Sequence, residues 1–357
     1  MALKIAINGM GVIGREILRT LYGENGYEIV LINDINITGQ NLVYLLTYDS
    51  IYHDGIKIFN NNITVKEENQ QDVVIINGKS IPFFHEKDIS ELPLGDHGVD
   101  MVLECTGELG SKAKLYGFLG TGVRRVVACY RAGNEIPTIV HKVNQKTLKN
   151  NDYIISFPEM ESQVTATILH IVNQKNTIIG GYAKAFRSFT NAQPTMDSFS
   201  TDYARGRAAS CNITPVDDSF GKTIGLVIPE LNGKINSCAY RSPVINGSIM
   251  DFSVLVKDST TKEELNTFIK SKCIGKLEDS NENLGNDKVN SGYNENPLCS
   301  SDALGYDIPQ FLASQTKIIA LKDDDISIVH ISVVYDNVRG YCNLLKSFLK
   351  WAIDNWL

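Results

Sequence analysis

A chain of 357 residues, 43% apolar and 21% charged, has material for two packed cores. Its formal charge of −7 argues against a nucleic-acid protein, which ordinarily presents a basic face, and no apolar run approaches the ~18 residues of a membrane span. Seven scattered cysteines without CxxC spacing suit reduced structural thiols, and the six histidines show no metal-ligand spacing, so a cytoplasmic protein without metal, membrane or nucleic-acid partner is expected.

In chain order, Leu3 to Ile7 is a short β-prone run with no charged-then-apolar leader pattern ahead of it. It ends at Asn8, Gly9, Met10, Gly11, Val12, Ile13 and Gly14, where the glycines fit G-x-G-x-x-G and a helical pattern follows through Leu21. The first glycine permits a tight turn, the second lets backbone approach a pyrophosphate, and the third lets helix pack on strand. The pyrophosphate would then sit on the helix N-terminus, where free N–H groups and the dipole favour an anion. A second strand, Tyr27 to Asn33, ends at Asp34, whose carboxylate would accept ribose hydroxyls and repel a 2′-phosphate, favouring NAD over NADP. The plainer alternative is a tight βα turn followed by a turn aspartate.

Asp72 to Asn77 and Ile81 to Phe84 flank Gly78 and Lys79 as a hairpin-like excursion. Val99 to Glu104 reads as a buried strand running into Cys105, Thr106 and Gly107. Arg124 to Ala128, Thr138 to His141 and Tyr153 to Ser156 read as further strands. Strands alternating with helical stretches over this length predict a doubly wound α/β domain. After Ser156 comes a short turn with Pro158, then an apolar helix from about Gln163. The turn offers Glu159, Met160, Glu161 and Ser162, and no cysteine.

These residues resemble the glyceraldehyde-3-phosphate dehydrogenase family. Asn8 to Arg15 is similar to its N-G-F-G-R-I-G-R opening, Tyr48-Asp49-Ser50 to its Y-D-S, and Cys105-Thr106-Gly107 to its S-T-G. Arg205 to Ala209 resembles R-G-G/A-R-A-A, and Ile228 to Lys234 is similar to I-P-E-L-N-G-K without a change. Tyr240, Arg241 and Pro243 resemble F-R-V-P, and Tyr335-Asp336-Asn337 with Gly340-Tyr341 resembles the C-terminal Y-D-N-E-x-G-Y. The resemblance implies a Rossmann dinucleotide-binding domain over 1–156, an α+β catalytic domain over 157–335 with an S-shaped loop at about 187–209, and a C-terminal helix within 336–357. It also implies NAD as cofactor, a homotetramer meeting at the loop from Gln193 to Ala209, Asn337 on the nicotinamide carboxamide with Tyr341 beside it, and Lys87 near the adenine, with Thr106 and Gly107 completing the cofactor contacts.

Three positions depart from the family pattern. Its nucleophilic cysteine aligns with Met160, and a thioether has no proton to lose. Its histidine aligns with Arg187, which cannot act as a base near neutral pH. Its inorganic-phosphate loop becomes Pro215 to Lys222, with Asp217 and Asp218 where small hydroxyl residues stand. Thr190 and Arg241 keep part of a substrate-anion site, and Ala192 replaces an expected threonine. Two readings follow, both lacking the thioester step. The first, slightly preferred, is a non-covalent NAD-dependent oxidoreductase on a small anionic carbonyl or alcohol, with Arg187 polarising oxygen and Glu159 or Glu161 as acid/base. The second is a catalytically silent NAD-binding regulatory or interaction module, with Arg187 paired to a glutamate. An active glycolytic enzyme using Cys129 is a distant third.

Smaller features carry structural expectations. The polar stretch from Leu277 to Pro297 reads as a surface loop, Lys322 to Asp325 as a solvated turn, and Trp351 and Trp356 as packing residues of the last helix.

Overall fold

The computed structural model describes residues 2–218, 220–274, 289–321 and 325–357. The chain divides into two compact units, the first Met1–Thr138, Leu148–Pro158 and Phe348–Leu357, the second Ile139–Thr147 and Glu159–Ser347.

The first unit runs β1 (Leu3–Asn8), α1 (Val12–Leu21), β2 (Tyr27–Asn33), α2 (Gly39–Thr47), α3 (Gly55–Ile58), β3 (Ile63–Glu68), β4 (Gln71–Ile76), β5 (Lys79–Phe84), β6 (Met101–Glu104), α4 (Lys112–Leu119), β7 (Arg125–Ala128) and β8 (Ile154–Ser156). Its sheet is ordered β3-β4-β5-β2-β1-β6-β7-β8, parallel from β5 through β8. Strands β6 and β7 are buried at every position, which is why they read as unbroken apolar runs rather than alternating ones. One side of the sheet packs Ala6, Val102 and Val126 against Leu115 and Phe118 of α4. The order reverses at β1, with β2 on one side and β6 on the other, and such a switch point opens a crevice at the carboxyl ends of the strands.

Two local expectations are corrected and one strand is added. The hairpin turn centres on Asn77 and Gly78, both at positive φ, and Ile76 pairs with Lys79, so Lys79 already belongs to the strand. The hairpin has a third, polar-faced partner, β3, which pairs antiparallel with β4. The strand expected over Thr138 to His141 does not form. Only Thr138 bridges to Ser156, Pro137 ahead of it has no N–H for a ladder, and Lys142 turns the chain at φ 67°.

The second unit contains α5 (Met160–Lys175), β9 (Ile178–Ser188), β10 (Thr214–Val216), α6 (Phe220–Val227), β11 (Ile235–Ser242), β12 (Ser248–Lys257), α7 (Lys262–Lys272), β13 (Gly292–Asn294), β14 (Gln310–Leu312), β15 (Lys317–Ala320), β16 (Ile326–Tyr335) and the start of α8 (Arg339–Asn355). The mixed sheet is ordered β10-β11-β9-β12-β16-β14-β13, with β15 on β16. Strand β12 alternates buried and half-buried residues, the mark of a sheet with one face on the core. Helix α5 is buried from Met160 through Leu169, on every side. It begins three residues before its apolar run, because the Glu159 carbonyl accepts the Ser162 and Gln163 N–H groups and starts the helical ladder there.

Much of the expected surface loop, 277–288, lies outside the described residues, as does 322–324 of the expected solvated turn. Val289 onward is structured: Cys273 bridges Val289, and β13 pairs with β14. Asp325 accepts the Ser259 N–H and hydroxyl at 2.8 and 2.6 Å. Within the first unit, Trp356 donates its indole N–H to the Asp152 carbonyl, and the Arg125 guanidinium lies over the Tyr153 and Trp356 rings. The Trp351 ring lies 5.9 Å from that of Phe348, tilted by 32°. Among the described residues no helix is long and apolar enough to cross a membrane.

Candidate functional site: a dinucleotide cradle and a buried ion cluster

At the carboxyl end of β1 the glycine turn is shaped by contacts that only glycine permits. Gly9 has φ 95°, and a Cβ there would come within 2.8 Å of the Thr106 nitrogen. A Cβ on Gly14 would sit 1.9 Å from the Gly9 carbonyl oxygen, so helix α1 can close on the turn only without one. Gly11 differs. A Cβ there would meet nothing within 4 Å, which leaves open space beside the backbone at the residue expected to face the pyrophosphate. Helix α1 starts without a side-chain cap, and Val12 is 48% exposed in its first turn. An uncapped N-terminus with the positive end of its dipole toward open space fits a dinucleotide phosphate.

Asp34 is held in place at the end of β2. Its Oδ2 accepts the Met10 N–H and its Oδ1 the Asn36 N–H, each at 2.7 Å, and a carboxylate retains further lone pairs for ribose hydroxyls. Thr106 is tied to Glu104 through both its N–H and its hydroxyl. The Asn8 side chain is committed inside the protein: it donates to Glu104 and accepts from Asn33, whose amide reaches the Glu86 carbonyl. This network joins the ends of β1, β2 and β6, and the sequence reading missed it. The signal was Glu104, a carboxylate closing an otherwise apolar strand. Burial pushes the Glu104 carboxyl up, against the opposing pull of its Thr106 and Asn8 donors. Lys87 is exposed. The residues present fit NAD, and Gly9, Gly11, Val12, Ile13, Gly14, Asp34, Thr106 and Gly107 are the ones that would hold it.

The remaining site residues gather in the second unit. Strand β9 carries Arg187 and its parallel neighbour β11 carries Arg241 in register with it. Two like charges side by side need countercharge. Helix α5 supplies Glu161, 2.8 Å from Arg187 Nη1, and the segment after β10 supplies Asp218, 2.7 Å from Nη2. All three side chains are at most 12% exposed. Burial alone would weaken the Arg187 guanidinium as a cation, but the two carboxylates outweigh it and hold its pKa above the ordinary value. Burial likewise works to raise Glu161, and Arg187 overrides it, leaving that carboxyl below its usual range. Arg241 is drawn down to about 10, by burial first and then by Arg187, and donates to the Ser188 carbonyl at 2.7 Å.

Glu159 behaves in the opposite sense. Burial pushes its carboxyl up, its bond from the Ser162 hydroxyl at 2.7 Å works against that, and the Glu161 charge adds to the rise. Met160 is 3% exposed and faces Gly340, where a Cβ would stand 3.3 Å from its Cε. Thr190 is exposed, its N–H bonded to Gln193 Oε1 at 3.1 Å. Asn337 accepts from the Ser248 hydroxyl, and Tyr341 is buried in the first turn of α8, which Asp336 holds by accepting the Val338 and Arg339 N–H groups. Asp218 was expected to repel phosphate, whereas here it is a partner of Arg187.

A doubly wound sheet with a glycine cradle at its switch point, followed by a mixed-sheet unit, is the architecture of the two-domain, NAD-binding dehydrogenase families. Residues 3–112 match the NAD-binding domain of glyceraldehyde 3-phosphate dehydrogenase and residues 162–337 match its C-terminal domain. The chain is 35% identical over 351 residues to a glyceraldehyde-3-phosphate dehydrogenase of Clostridium acetobutylicum, covering 98% of each. It is 32% identical to a Cupriavidus necator glyceraldehyde-3-phosphate dehydrogenase (96% of each chain) and 31% identical to glyceraldehyde-3-phosphate dehydrogenase 1 of Bacillus cereus (95% of each). The chain belongs to the glyceraldehyde-3-phosphate dehydrogenase family, and its cofactor is NAD.

Proposed function

We propose that the chain binds NAD in its first unit and performs no thioester chemistry in its second. The reading rests on Met160 standing for the family's nucleophilic cysteine and Arg187 for its histidine. It is supported by Met160 opening a buried helix and by a guanidinium that its neighbours keep protonated. The observation that carries the choice between the two surviving functions is the double pairing of Arg187 with Glu161 and Asp218. A guanidinium bonded at both ends to carboxylates has little positive potential left for a carbonyl oxygen. That favours a catalytically silent, NAD-binding regulatory or interaction module over the non-covalent oxidoreductase that the sequence put slightly ahead.

The oxidoreductase reading keeps one specific support. Glu159 and Glu161 are driven in opposite directions by their surroundings, the pattern that separates an acid from a stabilising charge. In that reading Arg241 and Thr190 hold a small phosphorylated or carboxylated ligand and Glu159 donates the proton. The two are separated by incubating the protein with NADH and a panel of small anionic aldehydes and ketones. The silent module gives no loss of NADH absorbance while calorimetry records NAD binding. NADH consumption that disappears in Glu159→Gln would instead establish the oxidoreductase. Met196, Phe199 and Tyr203, at 76%, 91% and 88% exposure in the loop after Gln193, support the further reading that this loop meets other copies in a homotetramer, which light scattering on the eluting protein would check.

A further inference from the structure

We propose that His85 is a positioning residue for the cofactor: through the Asp34 carbonyl it sets the carboxylate that receives the adenosine ribose. His85 stands just past the end of β5, whose parallel pairing with β2 brings it beside Asp34. Its Nδ1 lies 2.8 Å from the Asp34 carbonyl oxygen, and its Nε2 lies 3.2 Å from Asp72 Oδ2. A carbonyl oxygen only accepts, so Nδ1 carries the ring proton and donates it. That bond stands whether the ring is neutral or charged, whereas the Asp72 contact needs a second ring proton. The Phe83 ring packs against the imidazole, with centroids 4.4 Å apart.

Asp34 is held on both sides of its Cα. Its N–H donates to the Phe84 carbonyl at 3.0 Å, which fixes the chain entering the residue. The His85 bond to its carbonyl fixes the chain leaving it, because only φ and ψ are soft. The carboxylate depends on that exit direction. Asn36, whose N–H donates to Asp34 Oδ1 at 2.7 Å, lies two residues further along the same exposed loop. Its N–H reaches Oδ1 only while the peptide after Asp34 keeps its orientation.

Asp72 extends the hold to the far end of that loop. The oxygen facing His85 also accepts the Gly39 N–H at 3.0 Å, at the start of α2. A Cβ on Gly39 would come 2.5 Å from Val65 Cγ2 and 2.8 Å from Asp72 Oδ2, so α2 begins pressed against β3 and β4. Residues 35–38 thus run between two fixed points that meet at one imidazole. Replacing His85 releases the exit from Asp34 and leaves the sheet packed, since its side chain is 41% exposed. The loop relaxes, the Asn36 bond weakens, and the carboxylate is no longer preorganised for the ribose hydroxyls. This role rests on NAD binding by the first unit, with Asp34 as the ribose acceptor.

The test titrates NAD, and NAD built on 2′-deoxyadenosine, calorimetrically into the whole protein and into its His85→Ala, His85→Asn and His85→Gln variants. An asparagine amide stands where Nδ1 does and donates to the Asp34 carbonyl; a glutamine amide reaches the place of Nε2 instead. His85→Ala is expected to raise the NAD dissociation constant about fivefold, the size of one net hydrogen bond. The deoxy analogue should lose less, because it lacks a hydroxyl that Asp34 would hold. His85→Asn is expected to restore NAD affinity and His85→Gln to leave it low. Unchanged NAD affinity in His85→Ala overturns the proposal alone. So do equal loss for both ligands, failure of His85→Asn to restore affinity, and restoration by His85→Gln. An unsubstituted protein that binds neither ligand overturns the cofactor assignment and this role with it.

Discussion

At the scale of single residues, the second unit is governed by how Arg187, Arg241, Glu161 and Asp218 balance one another. Removing one member of a buried ion cluster leaves the others without compensation, which costs far more than the cluster contributes as a whole. Arg187→Met is therefore expected to destabilise the fold by about 3–5 kcal/mol, measured by urea unfolding, and adding Glu161→Gln and Asp218→Asn to it is expected to recover most of that loss. The pH dependence has a definite sign. Glu161 titrates below its unfolded value, so its contribution is present above the ordinary carboxylate range and is lost as pH falls through its lowered folded value. Glu159, raised by burial, does the reverse and costs stability as it ionises on the way up. The sequence made Arg187 legible as the partner of a glutamate in the turn before α5, Glu159 or Glu161, without choosing between them. It did not make Asp218 legible as the second partner, since a contact between the segment after β10 and a residue of β9 depends on strand order rather than on local pattern.

At the scale of elements, the glycine turn separates what folding requires from what the ligand requires. Gly14→Ala drives a Cβ into the Gly9 carbonyl and is expected to lower the melting temperature along with NAD binding. Gly11→Ala meets open space, so the melting temperature should hold while calorimetric NAD affinity falls, and an unchanged affinity would remove Gly11 from the cradle. The short segment 139–147 offers a second test. His141 is buried neutral, its pKa drawn down to about 3 by burial and then by Lys142. Between about 6.5 and that value the unfolded chain binds the proton and the folded one does not, so stability falls as pH drops, by about 1.4 kcal/mol per pH unit from this group. His141→Gln should flatten that slope in denaturation curves recorded from pH 7 to pH 4. Parallel strands were legible because burial on both faces leaves an unbroken apolar run. Strand β3 was not, since its outer half is polar and exposed and only its pairing with β4 makes it a strand. The run Thr138 to His141 misled for the converse reason: it is apolar because it is buried, yet its backbone turns.

At the scale of the whole molecule, a shared family frame carries a cofactor cradle in one unit and an ion cluster in the other, where the family's covalent chemistry is expected. The frame was readable from end to end, because motifs such as Asn8 to Arg15 and Ile228 to Lys234 lie in order along the chain. Whether the second unit still transfers hydride was not readable, since it turns on whether Arg187 is bonded or available, and that is a matter of packing. NAD that binds the folded state alone should raise the melting temperature in proportion to the logarithm of its concentration above Kd, which scanning calorimetry would record. The most direct test is to follow NADH absorbance in a sample already titrated with NAD to saturation, after adding glyceraldehyde 3-phosphate and inorganic phosphate. A saturable NAD heat and no NADH are expected; NADH formation accompanied by an acyl adduct on the protein in its mass spectrum would show that thioester chemistry survives.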